Sequence, residues 1–250
     1  MNRQAQAVVL LLLGGAVVRA SLTDLYLRYV KESLQPFLVA AGLALVAVAV
    51  MTLWYELRPL LPASVQPPDG EPAGPVAHAD AGHAHHEPRI GWLLLLPVLG
   101  LLLVAPPALG SYAVSQAGAT VPSGGLSDYP ALPAGDPAKI TVLDYASRAL
   151  FDAGESIGDR RVQLTGFIAT GGAGEPILAR MVLSCCAADG RPVKLGLTGE
   201  VPVGLPQDTW IEVIGRYTDR IGRDPVNDAE IPYLDVETWR EVPVPRQQYD

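Results

Sequence analysis

Two hydrophobic patterns divide the chain. Before about residue 112, apolar residues run on without a period; after residue 139 they alternate with polar ones. Ser33 to Tyr55 reads "SLQPFLVAAGLALVAVAVMTLWY" and carries no charge. About 20 such residues span a bilayer, and a helix apolar on every face needs lipid or a large core around it. The stretch therefore predicts a membrane helix over 33–55. Pro36 suits its first turn, and Trp54 and Tyr55 suit the membrane interface. Ile90 to Tyr112, "IGWLLLLPVLGLLLVAPPALGSY", predicts another over 90–112. There Trp92 and Tyr112 stand as anchors, and Pro97, Pro106 and Pro107 would kink or shorten the helix. A buried helix of a soluble protein is the alternative. Gln4 to Val18 is also uncharged and predicts a first helix over 4–22. Its rival is a secretory signal peptide ending in "VRA" before Ser21, disfavoured because Arg19 would lie inside the cleavage site.

After residue 139 the period changes. "TVLDYASRALFDAG" predicts a helix with Thr141 as N-cap, Gly154 as stop, and Leu143, Ala146, Leu150 and Phe151 as its apolar face. Five strand-like runs follow, over 160–169, 177–186, 192–198, 209–218 and 232–242. Gly166 and Gly215 fall where a strand of a small barrel must coil sharply. The expected fold is a membrane α-helical N-terminal region followed by an α+β C-terminal domain, residues 139–250, dominated by a small OB-like β-barrel. Residues 59–89 form a Pro- and Ala-rich loop without apolar period, and 113–138 a Gly/Pro/Ser-rich linker.

Charge sharpens this division. The chain has 250 residues, 18% of them charged, and a net charge of −8. Residues 1–127 carry six Lys/Arg and seven Asp/Glu; residues 128–250 carry twelve and nineteen. The first part reads as lipid-facing and the second as water-facing. An acidic chain repels phosphate backbones, so nucleic acid is excluded as a partner. Arg3, Arg58 and Arg89 on one side balance Arg19, Arg28 and Lys31 on the other, so basic residues near the helix ends do not set the orientation. From Ile90 the next basic residue is Lys139. That favours a multi-pass protein of a bacterial plasma membrane with its N-terminus in the cytoplasm and its C-terminal domain outside.

Candidate chemistry falls into two clusters. All four histidines, His78, His83, His85 and His86, lie within nine residues of the 59–89 loop. Imidazoles so spaced can wrap one ion, with Asp80 or Glu87 assisting, or they are an accident of a solvated loop. The only two cysteines are adjacent, in "MVLSCCAADG". Were the strand to continue through them, Cys185 and Cys186 would point to opposite faces. Were the chain to turn after Ser184, both sulfurs could share a site with Asp189 that suits a soft ion such as Zn or Cu(I). Packing of the barrel, and a disulfide, are the other readings. No histidine lies in the folded domain, which argues against a Cys-His hydrolase. The run Asp219 to Glu230 reads as a solvated loop; Asp224, Asp228 and Glu230 could hold Ca²⁺, but without EF-hand spacing. Trp210 and Trp239 read as barrel core or rim.

The order of "RIGWLLLLPVLGLLLVAPPALGSYAV", "VQLTGFI", "LARMVLSCCAADGRPV" and "DTWIEVIGRY" resembles the YcgQ-like family of bacterial membrane proteins, described as permease subunits, over nearly the whole chain. The resemblance implies a non-enzymatic accessory subunit docked in the lipid bilayer on a larger integral-membrane permease. It supplies no substrate and no catalytic residue. With the two clusters, it raises the expectation of a transition-metal permease. The alternatives are a membrane-tethered thiol redox protein and a barrel that binds a protein partner.

Overall fold

A computed structural model describes residues 3–57, 107–121 and 129–250. His78, His83, His85 and His86, most of the predicted helix over 90–112 and part of the predicted linker lie outside the described residues. The chain forms two compact units, Met1–Thr23 with Pro36–Pro106, and Asp24–Gln35 with Pro107–Asp250.

In the first unit, α1 (Arg3–Leu22) and α2 (Gln35–Leu57) are both helical where the apolar runs predict it. Glu32–Glu56 is long and apolar enough to cross a membrane; the apolar part of α1, Gln6–Leu22, is shorter. The helices run antiparallel and meet at glycines. A Cβ on Gly14 would lie 2.9 Å from the Gly42 carbonyl, and one on Gly42 would lie 2.7 Å from Val18 Cγ2. Ala7 and Ala49 are also fully buried, each seven residues from the glycine of its own helix. Large side chains point the other way: Leu12, Leu43 and Met51 are each more than half exposed.

The second unit is a closed barrel. Its strands are β1 (Ala138–Lys139), β2 (Val162–Thr170), β3 (Pro176–Val182), β4 (Arg191–Gly199), β5 (Trp210–Arg223) and β6 (Glu230–Glu241). The sheet order is β1-β2-β3-β4-β6-β5, and β2 pairs with β5 to close it. The short β1 pairs with β2 in parallel, as β4 does with β6; the other pairs are antiparallel. β2 to β6 make the five-stranded Greek-key closure of an OB-like barrel, with β1 added at the edge of β2. Closure needs tight coiling, and glycines permit it. A Cβ on Gly166 would lie 2.7 Å from the Ala179 carbonyl. The β5–β6 register slips between Ile214 and Gly215, a bulge that bends the strand.

Two helices complete this unit. α3 (Ser111–Gln116), where the pattern places the end of the third apolar segment and the start of the linker, buries Val114 against Phe167 and Trp210. α4 (Val142–Phe151) is capped as predicted, the Thr141 hydroxyl accepting from Asp144 N–H at 3.0 Å. Its buried face is Val142, Tyr145, Ala146 and Ala149, one position off the predicted Leu143, Ala146, Leu150 and Phe151. Tyr145 decides the rotation: its hydroxyl donates to the Tyr233 carbonyl at 2.6 Å, which draws that ring into the barrel. Phe151 is left exposed. Gly154 follows at φ 74°, its N–H donating to the Arg148 carbonyl.

Half of the predicted solvated loop 219–230 is strand. β5 and β6 extend through it and leave a turn at 224–229. Asp224 is buried in that turn and faces Lys194 Nζ at 2.7 Å, also buried. Its carboxylate further accepts from the N–H groups of Ala119 and Val226. Asp228 and Glu230 instead face Arg223. The carboxylates proposed for calcium are therefore divided between two cations.

Candidate metal centre

The cysteine loop begins where β3 runs out of partners. Val182 pairs with Arg191 in the last β3–β4 register position, so the strand ends four residues before Cys186, earlier than predicted. Asp189 then turns the chain. Its carboxylate accepts from Ser184 N–H at 2.8 Å, Cys185 N–H at 2.8 Å and Cys186 N–H at 3.2 Å. Ala187–Asp189 forms a 3-10 turn, closed by Asp189 N–H donating to the Cys186 carbonyl. Short carboxylate side chains compete for backbone donors in this way and so favour turns over strands.

The turn gathers all three candidate ligands. Cys185 Sγ donates to Asp189 Oδ2 at 2.9 Å. One ligand atom each from Cys185, Cys186 and Asp189 lies within 4.8 Å of the other two. Both cysteines are free, Cys185 exposed and Cys186 half-buried. Neither belongs to either buried cluster of the barrel. The turn after Ser184 is thus the arrangement adopted, not strand continuation or core packing.

The electrostatics follow from those hydrogen bonds. The Cys185 thiol is pushed up to about 11, chiefly by its bond to Asp189 and next by Cys186. The Asp189 carboxyl is pulled down to about 2, first by that thiol and then by the backbone donors at Cys185 and Ser184. Proton and carboxylate hold each other: the thiol keeps its proton because the charge beside it would repel a thiolate. A cation at this point would reverse the balance, because it would favour two thiolates and a carboxylate at once. Zinc draws tetrahedral sulfur ligands to about 3.7 Å apart at Zn–S near 2.3 Å.

The segment joining α1 to α2 lies beside this loop, a neighbour that the sequence does not predict. Lys31 N–H donates to the Cys185 carbonyl at 3.1 Å, and Ala187 N–H donates to the Tyr29 carbonyl at 2.7 Å. Two residues paired across 156 positions leave no periodicity to read. Trp210 is core, edge-on to Phe167 at 5.5 Å with the Arg180 guanidinium over its ring at 4.9 Å. Trp239 packs half-buried on the main core.

No curated protein and no solved structure matches the chain. A family model does match its second unit: residues 148–249, from the last turn of α4 through the whole barrel and the cysteine loop, are similar to the DUF1980 C-terminal domain.

Proposed function

We propose that this protein is a non-enzymatic accessory subunit of a larger integral-membrane permease, and that Cys185, Cys186 and Asp189 bind the soft transition-metal ion, Zn or Cu(I), that the permease handles. The observation that carries this reading is the convergence of the chain's two thiols and one carboxylate on a single point of an exposed loop. Three ligands leave the fourth tetrahedral position open. That suits an ion to be passed on, which a closed four-ligand site would hold too firmly.

The membrane part of the reading rests on how α1 and α2 pack. In water, two apolar helices would bury their large side chains against each other. Here Gly14, Gly42, Ala7 and Ala49 are buried while leucines and methionine face outward. Between helices in lipid nothing is gained by hiding leucine, so small residues that allow close approach take the interface. The resemblance to permease subunits supplies the partner. The redox alternative needs an exposed cysteine with a lowered pKa; at Cys185, the carboxylate beside the thiol weighs against it.

Calorimetric titration of the full chain in detergent with Zn²⁺, and anaerobically with Cu⁺, tests the metal site. Stoichiometric binding that is lost in the Cys185→Ser/Cys186→Ser variant is expected. An absence of stoichiometric binding by the wild type would sink the proposal. Binding that survives unchanged in the double variant would move the site to His78, His83, His85 and His86. Recovery of a multi-span permease with the tagged protein from membranes tests the partner.

A further inference from the structure

The segment Asp24–Gln35, which joins α1 to α2, lies along the cysteine loop and the C-terminal tail of the barrel. Val30 and Cys186 form an antiparallel bridge, made by the two main-chain hydrogen bonds at 3.1 and 2.7 Å that flank Cys186. Tyr249 donates its hydroxyl to the Arg28 carbonyl at 2.7 Å. Arg246 and Asp24 form an ion pair at 3.0 Å. The Gln247 amide donates to the Glu32 carboxylate. Tyr26 and Leu27 are buried. Main-chain pairing, side-chain hydrogen bonds, an ion pair and apolar burial all act on the same twelve residues.

We infer that this linker and the cysteine loop form one body on a single face of the membrane, with Leu57, at the far end of α2, on the opposite face. The inference rests on the reading of α2 as a membrane-crossing helix. A hydrocarbon core about 30 Å thick separates the two faces, and hydrogen bonds near 3 Å cannot reach across it. The linker ends where α2 begins. When α2 crosses, Leu57 emerges on the face opposite the linker, while the barrel, bonded to the linker, lies on the linker's own face. This relation is independent of which face is cytoplasmic, the point that the basic residues leave undecided. It also sets the thiols beside the turn between two membrane helices, bonded to it through the backbone on either side of Cys186.

Single-cysteine variants of the full chain in sealed, right-side-out membrane vesicles test this with a membrane-impermeant maleimide. Three positions are compared: Cys185 in the Cys186→Ser protein, and Ser33→Cys and Glu56→Cys, each in the Cys185→Ser/Cys186→Ser background. The expected result is labelling of positions 33 and 185 from one side and of position 56 from the other. In parallel, Val30→Cys in the Cys185→Ser background is oxidised with diamide. Facing residues of a non-hydrogen-bonded antiparallel pair sit about 4.5 Å apart at Cα, within disulfide range, so a cross-link from position 30 to Cys186 is expected. Labelling of positions 33 and 185 from opposite sides, or no cross-link, overturns the inference. Labelling of all three positions from one side instead overturns the crossing of α2 on which it rests.

Discussion

Asp189 is held by four donors, three backbone N–H groups and the Cys185 thiol. Asp189→Asn keeps the size of the side chain and removes its charge. Near neutral pH, a thiol returned from about 11 to its ordinary range gains about a hundredfold in thiolate fraction and loses about tenfold in intrinsic nucleophilicity. Alkylation of Cys185 is expected to quicken about tenfold, as read by iodoacetamide labelling in the Cys186→Ser background. An unchanged rate would mean that the carboxylate does not govern the thiol. For the wild type, an incoming ion must displace the Cys185 proton. Below about 11 its affinity is therefore expected to rise with pH, by about tenfold per pH unit for that proton alone. Titrations at pH 6, 7 and 8 check the sign. The residues of this site are legible in the sequence, because two adjacent cysteines and a nearby aspartate are visible in any reading. Whether they converge is not legible. Period-two alternation extends the strand through Cys186, and only the Asp189 side chain, which replaces the ladder's partners with its own, ends the strand at Val182.

Among the elements, the turn between β5 and β6 depends on one buried ion pair. Removing one partner of such a pair leaves an uncompensated charge, at a cost of about 3–5 kcal/mol. Lys194→Met is expected to lower the thermal stability of the barrel by that order, while Lys194→Met with Asp224→Leu recovers much of it; paired melting curves decide. Burial alone would raise the Asp224 carboxyl, but the Lys194 hydrogen bond and two backbone donors outweigh it and hold it below the usual carboxylate range. Its stabilisation is therefore full above about pH 4, where an unfolded aspartate is ionised, and is lost as pH falls through the lower folded value. In the helical unit, a Leu at Gly42 would drive into Val18 and the Gly14 backbone. Gly42→Leu is expected to weaken the α1–α2 pair by about 1–3 kcal/mol, shown by faster proteolysis of the helical unit with the barrel transition unmoved. Element positions were readable to within a few residues from apolar runs, caps and glycines. The face of α4 was not, because a helix of ten residues with apolar groups on several sides is rotated by what it meets, here the Tyr233 carbonyl.

Across the whole molecule, the two patterns with which the sequence opens correspond to two units of opposite packing logic. One hides glycine and alanine and shows leucine; the other hides leucine, valine and tyrosine inside a closed sheet. The linker Asp24–Gln35 is covalently part of the helical hairpin and packs as part of the barrel. Through it, the loop of Cys185 and Cys186 adjoins the segment between α1 and α2.

The amino-acid order by itself determined the division into an apolar region and an alternating one, the barrel class of the latter, the Thr141 cap and the thiol and carboxylate groups at 185, 186 and 189. These are local properties, written in the period, the composition and the short-range hydrogen-bonding habits of neighbouring residues. Only the tertiary structure decided that the strand stops before the cysteines, that Asp224 belongs to Lys194, and that residues 29–31 pair with residues 185–187. Each of these joins groups by charge or backbone hydrogen bonding, through side-chain reach or chain closure. Such bonds depend on where the fold brings the partners, and the pattern along the chain carries no trace of them.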